Sequence, residues 1–177
     1  MLTMKGIIVE AIEELITKNF GKEQWQKLLE MCNLRKDTFF LATEDVPDTL
    51  VFCIIDAIGK TFNLTNRQIF ELFSDYWTLQ YAPRVFSHYY DECKNAKEFL
   101  LKMDEVHYET TKTIPDANPP RFEYHWKDKR TLKMKYKSKR GLIDLMIALI
   151  HSVGKYYNEN LKIRKLSSEE VEIEFEY

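Results

Sequence analysis

Cysteine is scarce in this 177-residue chain: Cys32, Cys53 and Cys93 are widely spaced and never form CxxC. That argues against a disulfide framework or a cysteine-built zinc site and suits a reducing cytoplasm. Long apolar runs are missing too. No stretch reaches the ~20 residues that a membrane span needs. The start, Met1-Leu2-Thr3-Met4-Lys5, lacks a signal-peptide pattern. Neither sign of charge dominates: 26 basic against 28 acidic side chains leave −2, so no general attraction to nucleic acid or membrane follows. There is no repeat, no low-complexity tract and no long linker. Hydrophobic residues, in contrast, make up 45% and aromatic residues 14%. That supplies a real core, with enough aromatic surface to line a large flat pocket. The length suits one domain or two closely joined halves.

The first two thirds read as helices. Ile7, Ile8, Ala11, Ile12, Leu15 and Ile16 form a helical stripe, with Gly21 as its stop. Trp25, Leu28, Leu29 and Cys32 mark a second helix. Asp48 is placed to cap a third, with Val51, Ile54, Ile55 and Ile58 inward. Thr65 and Gln68 have capping-box spacing before Ile69, Phe70, Phe73, Tyr76 and Trp77. Pro83 interrupts the pattern. Asn95 and Glu98 repeat the box before Phe99, Leu100, Met103, Val106 and His107. The run Pro115-Asp116-Ala117-Asn118-Pro119-Pro120 cannot continue a helix. Beyond it the period changes to two. Phe122, Tyr124 and Trp126 predict one strand, and a turn at Asp128-Lys129 leads into a second from Leu132. Leu142, Leu145, Met146, Leu149 and Val153 predict a long helix. Leu161 and Ile163 start a third strand, and Val171, Ile173, Phe175 and Tyr177 a fourth. The fold class is α+β, a helical N-terminal half followed by a four-stranded antiparallel sheet crossed by a helix.

The second strand ends oddly. Lys133, Lys135, Lys137 and Lys139 alternate toward water, while Leu132 and Met134 face inward. Continued, the alternation puts Tyr136, Ser138 and Arg140 on the core side. Two hydroxyls and a guanidinium there ask for a partly buried anion. His107 falls on an apolar stripe with Leu100 and Met103. An inward imidazole needs a partner, and a backbone carbonyl is the plainest one. Taken together, the two features suit haem, which offers an iron to one histidine and two propionates to such donors.

The segments Met4-Lys5-Gly6-Ile7-Ile8, Asp104-Glu105-Val106-His107, Pro119-Pro120-Arg121 and Tyr136-x-Ser138-x-Arg140 occur in this order. In them the chain resembles the H-NOX family, the haem nitric oxide/oxygen-binding domains related to the haem domain of soluble guanylate cyclase, in its stand-alone bacterial form. The resemblance implies haem b buried between a distal helical subdomain, about 1–64, and a proximal subdomain, about 65–177. His107 would be the iron ligand. Tyr136, Ser138 and Arg140 would clamp the propionates. Pro120 would press on the macrocycle, and Ile8 would touch its distal side. It also implies a gas sensor rather than an enzyme. Gas binding would weaken the iron–histidine bond, a subdomain shift would follow, and a histidine kinase or a cyclic-di-GMP enzyme would read it in trans.

The position where oxygen-binding relatives carry a distal tyrosine is matched by Leu145, with Leu149 one turn later. Neither can donate a hydrogen bond. Nitric oxide, with carbon monoxide beside it, is therefore the expected ligand, and stable oxygen binding is not. Trp77 and Tyr81 lie where the family's fourth helix approaches the distal face. Tyr81 is expected to pack against the ring edge or to face solvent. Two rivals remain: a redox or oxygen-binding haem protein, and a cofactor-free interaction module. His88, His125 and His151 are acid–base candidates by residue type alone, and each reads better as a surface or packing residue.

Overall fold

The computed structural model describes residues 2–114 and 117–176. Pro115 and Asp116 in the helix-breaking run, and Tyr177 of the last strand, lie outside the described residues. The chain forms two compact units, Met1–Tyr76 and Trp77–Tyr177.

The first unit opens with β1 (Thr3–Lys5), which pairs antiparallel with β2 (Asp45–Pro47), Met4 opposite Val46. The sequence pattern did not predict this pair, because three residues are too few for alternation to register. Helix α1 (Gly6–Phe20) follows directly. The Gly6 N–H donates to the Glu44 carbonyl at 2.8 Å and that of Ile7 to the Ala42 carbonyl at 3.0 Å. A Cβ at Gly6 would lie 2.0 Å from the Leu41 carbonyl oxygen, so only glycine fits. The buried face of α1 is Val9, Ala11, Ile12, Leu15 and Ile16, while Ile7 and Ile8 are half-buried. Gly21 ends the helix with φ 91°, its N–H on the Thr17 carbonyl.

Helix α2 (Lys22–Met31) buries Trp25, Leu28 and Leu29. Helix α3 (Asp48–Phe62) buries Val51, Ile54, Ala57 and Ile58, with Ile55 only half-buried. Pro47 holds the cap position, and Asp48, expected there, is already inside the first turn. The Thr65–Gln68 box before α4 (Asn66–Tyr76) is formed in both directions, at 2.9 and 3.3 Å.

The second unit begins with a π-helical turn, Trp77–Tyr81, then the short helices α5 (Ala82–Val85) and α6 (Ser87–Asp91). Helix α7 (Ala96–Thr111) is capped by the Asn95 side chain, which accepts from the Glu98 N–H at 2.8 Å. Strands β3 (Arg121–Trp126) and β4 (Thr131–Lys137) form a hairpin whose turn is fixed by Asp128, which accepts from the Arg130 and Thr131 N–H groups. Helix α8 (Ile143–Tyr156) precedes β5 (Lys162–Lys165) and β6 (Glu170–Glu174). The antiparallel sheet has the order β3-β4-β6-β5. Its inner face carries Leu132, Met134, Tyr136, Val171 and Ile173, all buried. The other face is laced by pairs such as Lys137–Glu123, Arg164–Glu172 and Lys162–Glu174, which lie at the surface and each contribute little. On α8 the core stripe is Ile143, Met146, Ile150 and Val153. Leu145 and Leu149 fall outside that stripe and are half-buried.

Candidate functional site

His107 sits in the penultimate turn of α7 and is half-buried. Its Nδ1 lies 2.7 Å from the Met103 carbonyl oxygen. A carbonyl only accepts, so in the neutral ring Nδ1 carries the hydrogen and Nε2 keeps its lone pair. Burial lowers the His107 pKa from its usual 6.5, against opposing pulls from the Met103 carbonyl and Asp104. A neutral imidazole with its Nδ1–H bound to a carbonyl is the arrangement that metal-ligating histidines use. The Phe122 ring stands edge-on to the imidazole, centroids 5.3 Å apart.

Strand β3 grips α7 at this place. The Arg121 guanidinium donates twice to the Asp104 carboxylate, at 2.8 and 2.5 Å, and the Phe122 N–H donates to the same group at 2.7 Å. These donors hold the Asp104 carboxyl at about 2, with the Arg121 bond the largest cause. The Tyr124 hydroxyl donates to the Leu100 carbonyl at 2.8 Å and accepts from the Asp104 N–H at 3.2 Å. Desolvation pushes its pKa up to about 12.

The strand-end triplet is arranged differently from the extended run that alternation suggests. Tyr136 is the last inward residue of β4, 5% exposed. The strand stops at Lys137. Ser138 Oγ accepts from the Arg140 N–H at 3.3 Å, and Gly141 follows with φ 64°. Ser138 and Arg140 are therefore on a turn rather than on the sheet face. The Arg140 guanidinium donates to the Asn118 carbonyl at 2.8 Å, which ties the loop leading to Pro120 against this turn. Pro120 is half-buried, just before β3. Among the described residues the Tyr136 hydroxyl has no hydrogen-bond partner, and its ring lies 6.1 Å from that of Phe122, which also faces His107. Tyr136 and His107 thus meet on either side of Phe122. The donor set suits a metal-bearing ring with acidic arms, and the residues present fit haem.

The π-helical turn packs on α8. Trp77 and Tyr81 stack within it, centroids 5.4 Å apart, and the Arg84 guanidinium lies 5.2 Å from the Tyr81 ring. Tyr81 is 1% exposed, so of its two expected placements the solvent-facing one is not taken. Leu145 and Leu149 lie one turn apart on α8. Ile8 belongs to α1 in the first unit. His88, His125 and His151 are exposed. Among the described residues no three or more His, Cys, Asp or Glu side chains cluster as a metal site, and no helix is long and apolar enough to cross a membrane. Burial raises the thiol pKa of Cys93 and pushes that of Cys32 up to about 12, with Cys53 adding to the latter. The sequence pattern carried no role for Asp104, Arg121 or Tyr124, because the contacts that join them are tertiary.

A mixed helix-and-sheet domain whose one half-buried histidine is anchored by a backbone carbonyl suits the class of single-histidine cofactor-binding modules. The profile of a family described as Haem-NO-binding matches residues 5–165. The chain belongs to that family, the H-NOX haem-binding gas-sensor domains related to soluble guanylate cyclase. Its fold is similar to that of a crystal structure described as an oxygen-binding H-NOX domain in its oxygen complex, with TM-score 0.87, 24% identity, and coverage of 98% of this chain and 96% of that one. A structure described as giving insights into H-NOX activation superposes with TM-score 0.86 at 24% identity, covering 98% and 97%. Among curated proteins, the Caenorhabditis elegans soluble guanylate cyclases gcy-32 and gcy-34 are each 24% identical over 160 residues, 86% of this chain. The chain spans 23% of the length of these two relatives.

Proposed function

We propose that this chain is a haem-based nitric oxide sensor that signals to a separate partner protein. The observation that carries the reading is the 2.7 Å contact between His107 Nδ1 and the Met103 carbonyl, which leaves Nε2 as the available lone pair on a neutral ring. When bound, haem b would supply a ferrous iron with one face open to nitric oxide or carbon monoxide. Met103 fixes the His107 tautomer, and the Phe122 edge limits the ring's rotation. The Tyr136 hydroxyl, the Ser138 hydroxyl and the Arg140 guanidinium would take the two propionates. Pro120 would press on the ring from the loop that Arg140 ties down. Leu145 and Leu149 give no proton to a gas ligand, which supports nitric oxide over oxygen. Trp77 and Tyr81 would wall the distal side, and Ile8 keeps the cofactor-contact role implied by the family resemblance.

His107 rides on α7, so any change in its hold is passed to that helix and to the surface shown to a partner. That is a two-state element biased by ligand. The partner we favour is a histidine kinase or a cyclic-di-GMP enzyme in a bacterial cytoplasm. Catalysis is not part of the proposal, and the exposure of His88, His125 and His151 supports leaving it out.

The ultraviolet–visible spectrum of the reduced protein, before and after nitric oxide, tests the reading. A Soret band that shifts with the gas is expected. No band after expression with adequate haem, or a band indifferent to nitric oxide, refutes it. One observation favours a second reading: Tyr81 is buried on a turn packed against α8. An oxygen complex that survives aerobic gel filtration and is lost in Tyr81→Phe would make this an oxygen-binding member.

A further inference from the structure

We infer that Tyr124 is a positioning residue for His107: its hydroxyl bridges a rung of the α7 backbone and so fixes the helical turn from which the imidazole projects. The inference rests on the reading of His107 as the iron ligand. Its basis is the pair of bonds from one phenol oxygen to Leu100 O and Asp104 N, at 2.8 and 3.2 Å. Leu100 and Asp104 are four residues apart, the two groups that an α-helix pairs with each other. A side chain that enters such a rung couples the helix directly to the element that carries it. Tyr124 is carried by β3, which is locked in register to β4, with Tyr124 opposite Met134 and Phe122 opposite Tyr136.

The location is what gives the bridge a function. One residue before Asp104 is Met103, whose carbonyl holds His107 Nδ1. Asp104 itself is gripped by Arg121 and by the Phe122 N–H. Arg121 and Phe122 therefore hold the Asp104 side chain, while Tyr124 holds its backbone. The Arg121 and Phe122 contacts reach the helix through the rotatable Asp104 side chain, whereas the Tyr124 bridge engages main-chain atoms on both sides of the turn. At neutral pH the phenol is protonated, so it can donate and accept at once. The Met103 carbonyl, and with it the Nε2 direction, is then set by the sheet.

The test is Tyr124→Phe, which keeps the ring and deletes the oxygen, read first without cofactor. Amide hydrogen exchange at Asp104 and His107 should quicken about tenfold, the effect of losing bonds of ordinary strength, while exchange in β6 stays as in the wild type. The ¹⁵N signals of the His107 ring should show mixed tautomers where the wild type shows one. In the ferrous haem-loaded protein the iron–histidine stretching band should shift or broaden. Unchanged ring signals and an unchanged stretch overturn the inference and reduce Tyr124 to core packing. Faster exchange with an unchanged ring and stretch also overturns it, since the bridge would then hold the helix but not the ligand. Should the wild type fail to take up haem, the proposed function falls separately, and the cofactor-free ring signals still decide on Tyr124. Should Tyr124→Phe not fold, the wild type decides: a resolved Tyr124 hydroxyl proton with a dipolar contact to the Asp104 amide supports the bridge, and its absence overturns it.

Discussion

Replacing Asp104 by Asn should cost stability at neutral pH and cost progressively less in acid. Asp104 accepts two bonds from Arg121 and one from the Phe122 N–H, and its carboxyl is held at about 2 in place of the usual 3.8. At ~1.36 kcal/mol per tenfold, that difference has an upper bound of about 2.4 kcal/mol. The Arg121 side chain is half exposed and Asp104 a quarter exposed, so solvent screening brings the expected loss down to about 1 kcal/mol. The sign follows from the depressed folded value. The stabilisation is fully present above the unfolded value of 3.8 and is lost as pH falls through about 2. By pH ~3 roughly half of it should be gone. Urea unfolding of the haem-free protein and of Asp104→Asn, followed by circular dichroism from pH 6 to 3, measures this directly. The gap between the two should halve across that range. A gap that stays constant or widens would show that Asp104 acts by packing and not as a paired carboxylate.

Gly6→Ala should destabilise by about 3 kcal/mol or prevent accumulation of folded protein, because its Cβ meets a backbone carbonyl at 2.0 Å; a thermal melt within a degree or two of the wild type would contradict this. Arg140→Gln should speed haem transfer to apomyoglobin by about tenfold or more, by loss of a charge-assisted donor and of the tie to Asn118; an unchanged transfer rate would remove Arg140 from the clamp. Leu145→Tyr places a donor on the half-buried face of α8 and should yield an oxygen complex stable to gel filtration, with none in the wild type; no oxygen complex in the variant would show that this face does not reach the gas.

Much of the fold was legible because its signals are local. The Thr65–Gln68 box is a four-residue pattern and closes as read; of the Asn95–Glu98 box the Asn95 cap forms, while the Glu98 carboxylate accepts from the Lys94 N–H instead of from Asn95. The sheet's inner face follows from period two, and Leu132, Met134 and Tyr136 are all buried. The signal failed where a neighbour decided the matter. On α8 the apolar spacing predicts the helix, but not that its buried stripe is Ile143, Met146, Ile150 and Val153, with Leu145 and Leu149 only half-buried. The three-residue strands β1 and β2 exist because Met4 and Val46, 42 positions apart, find each other, a pairing that no short window of sequence contains.

The candidate site divides along the same line. Residue types at His107, Tyr136, Ser138 and Arg140 announced a donor set, but not how the donors are held. Alternation carried past Lys137 put Ser138 and Arg140 on a strand, whereas Ser138 turns the chain by accepting from the Arg140 N–H. That turn sends the guanidinium toward Asn118, and so couples the anion donors to the loop before β3. The same β3 carries Phe122 against His107 and Tyr124 into the α7 backbone. A displacement of His107 is therefore resisted by the strand whose leading loop Arg140 holds. Tyr124 escaped notice because alternation explains it fully as an inward residue of β3. Only the distances show that its oxygen reaches past the core to the main chain of the next element, and an apolar period carries no information about where a hydroxyl ends.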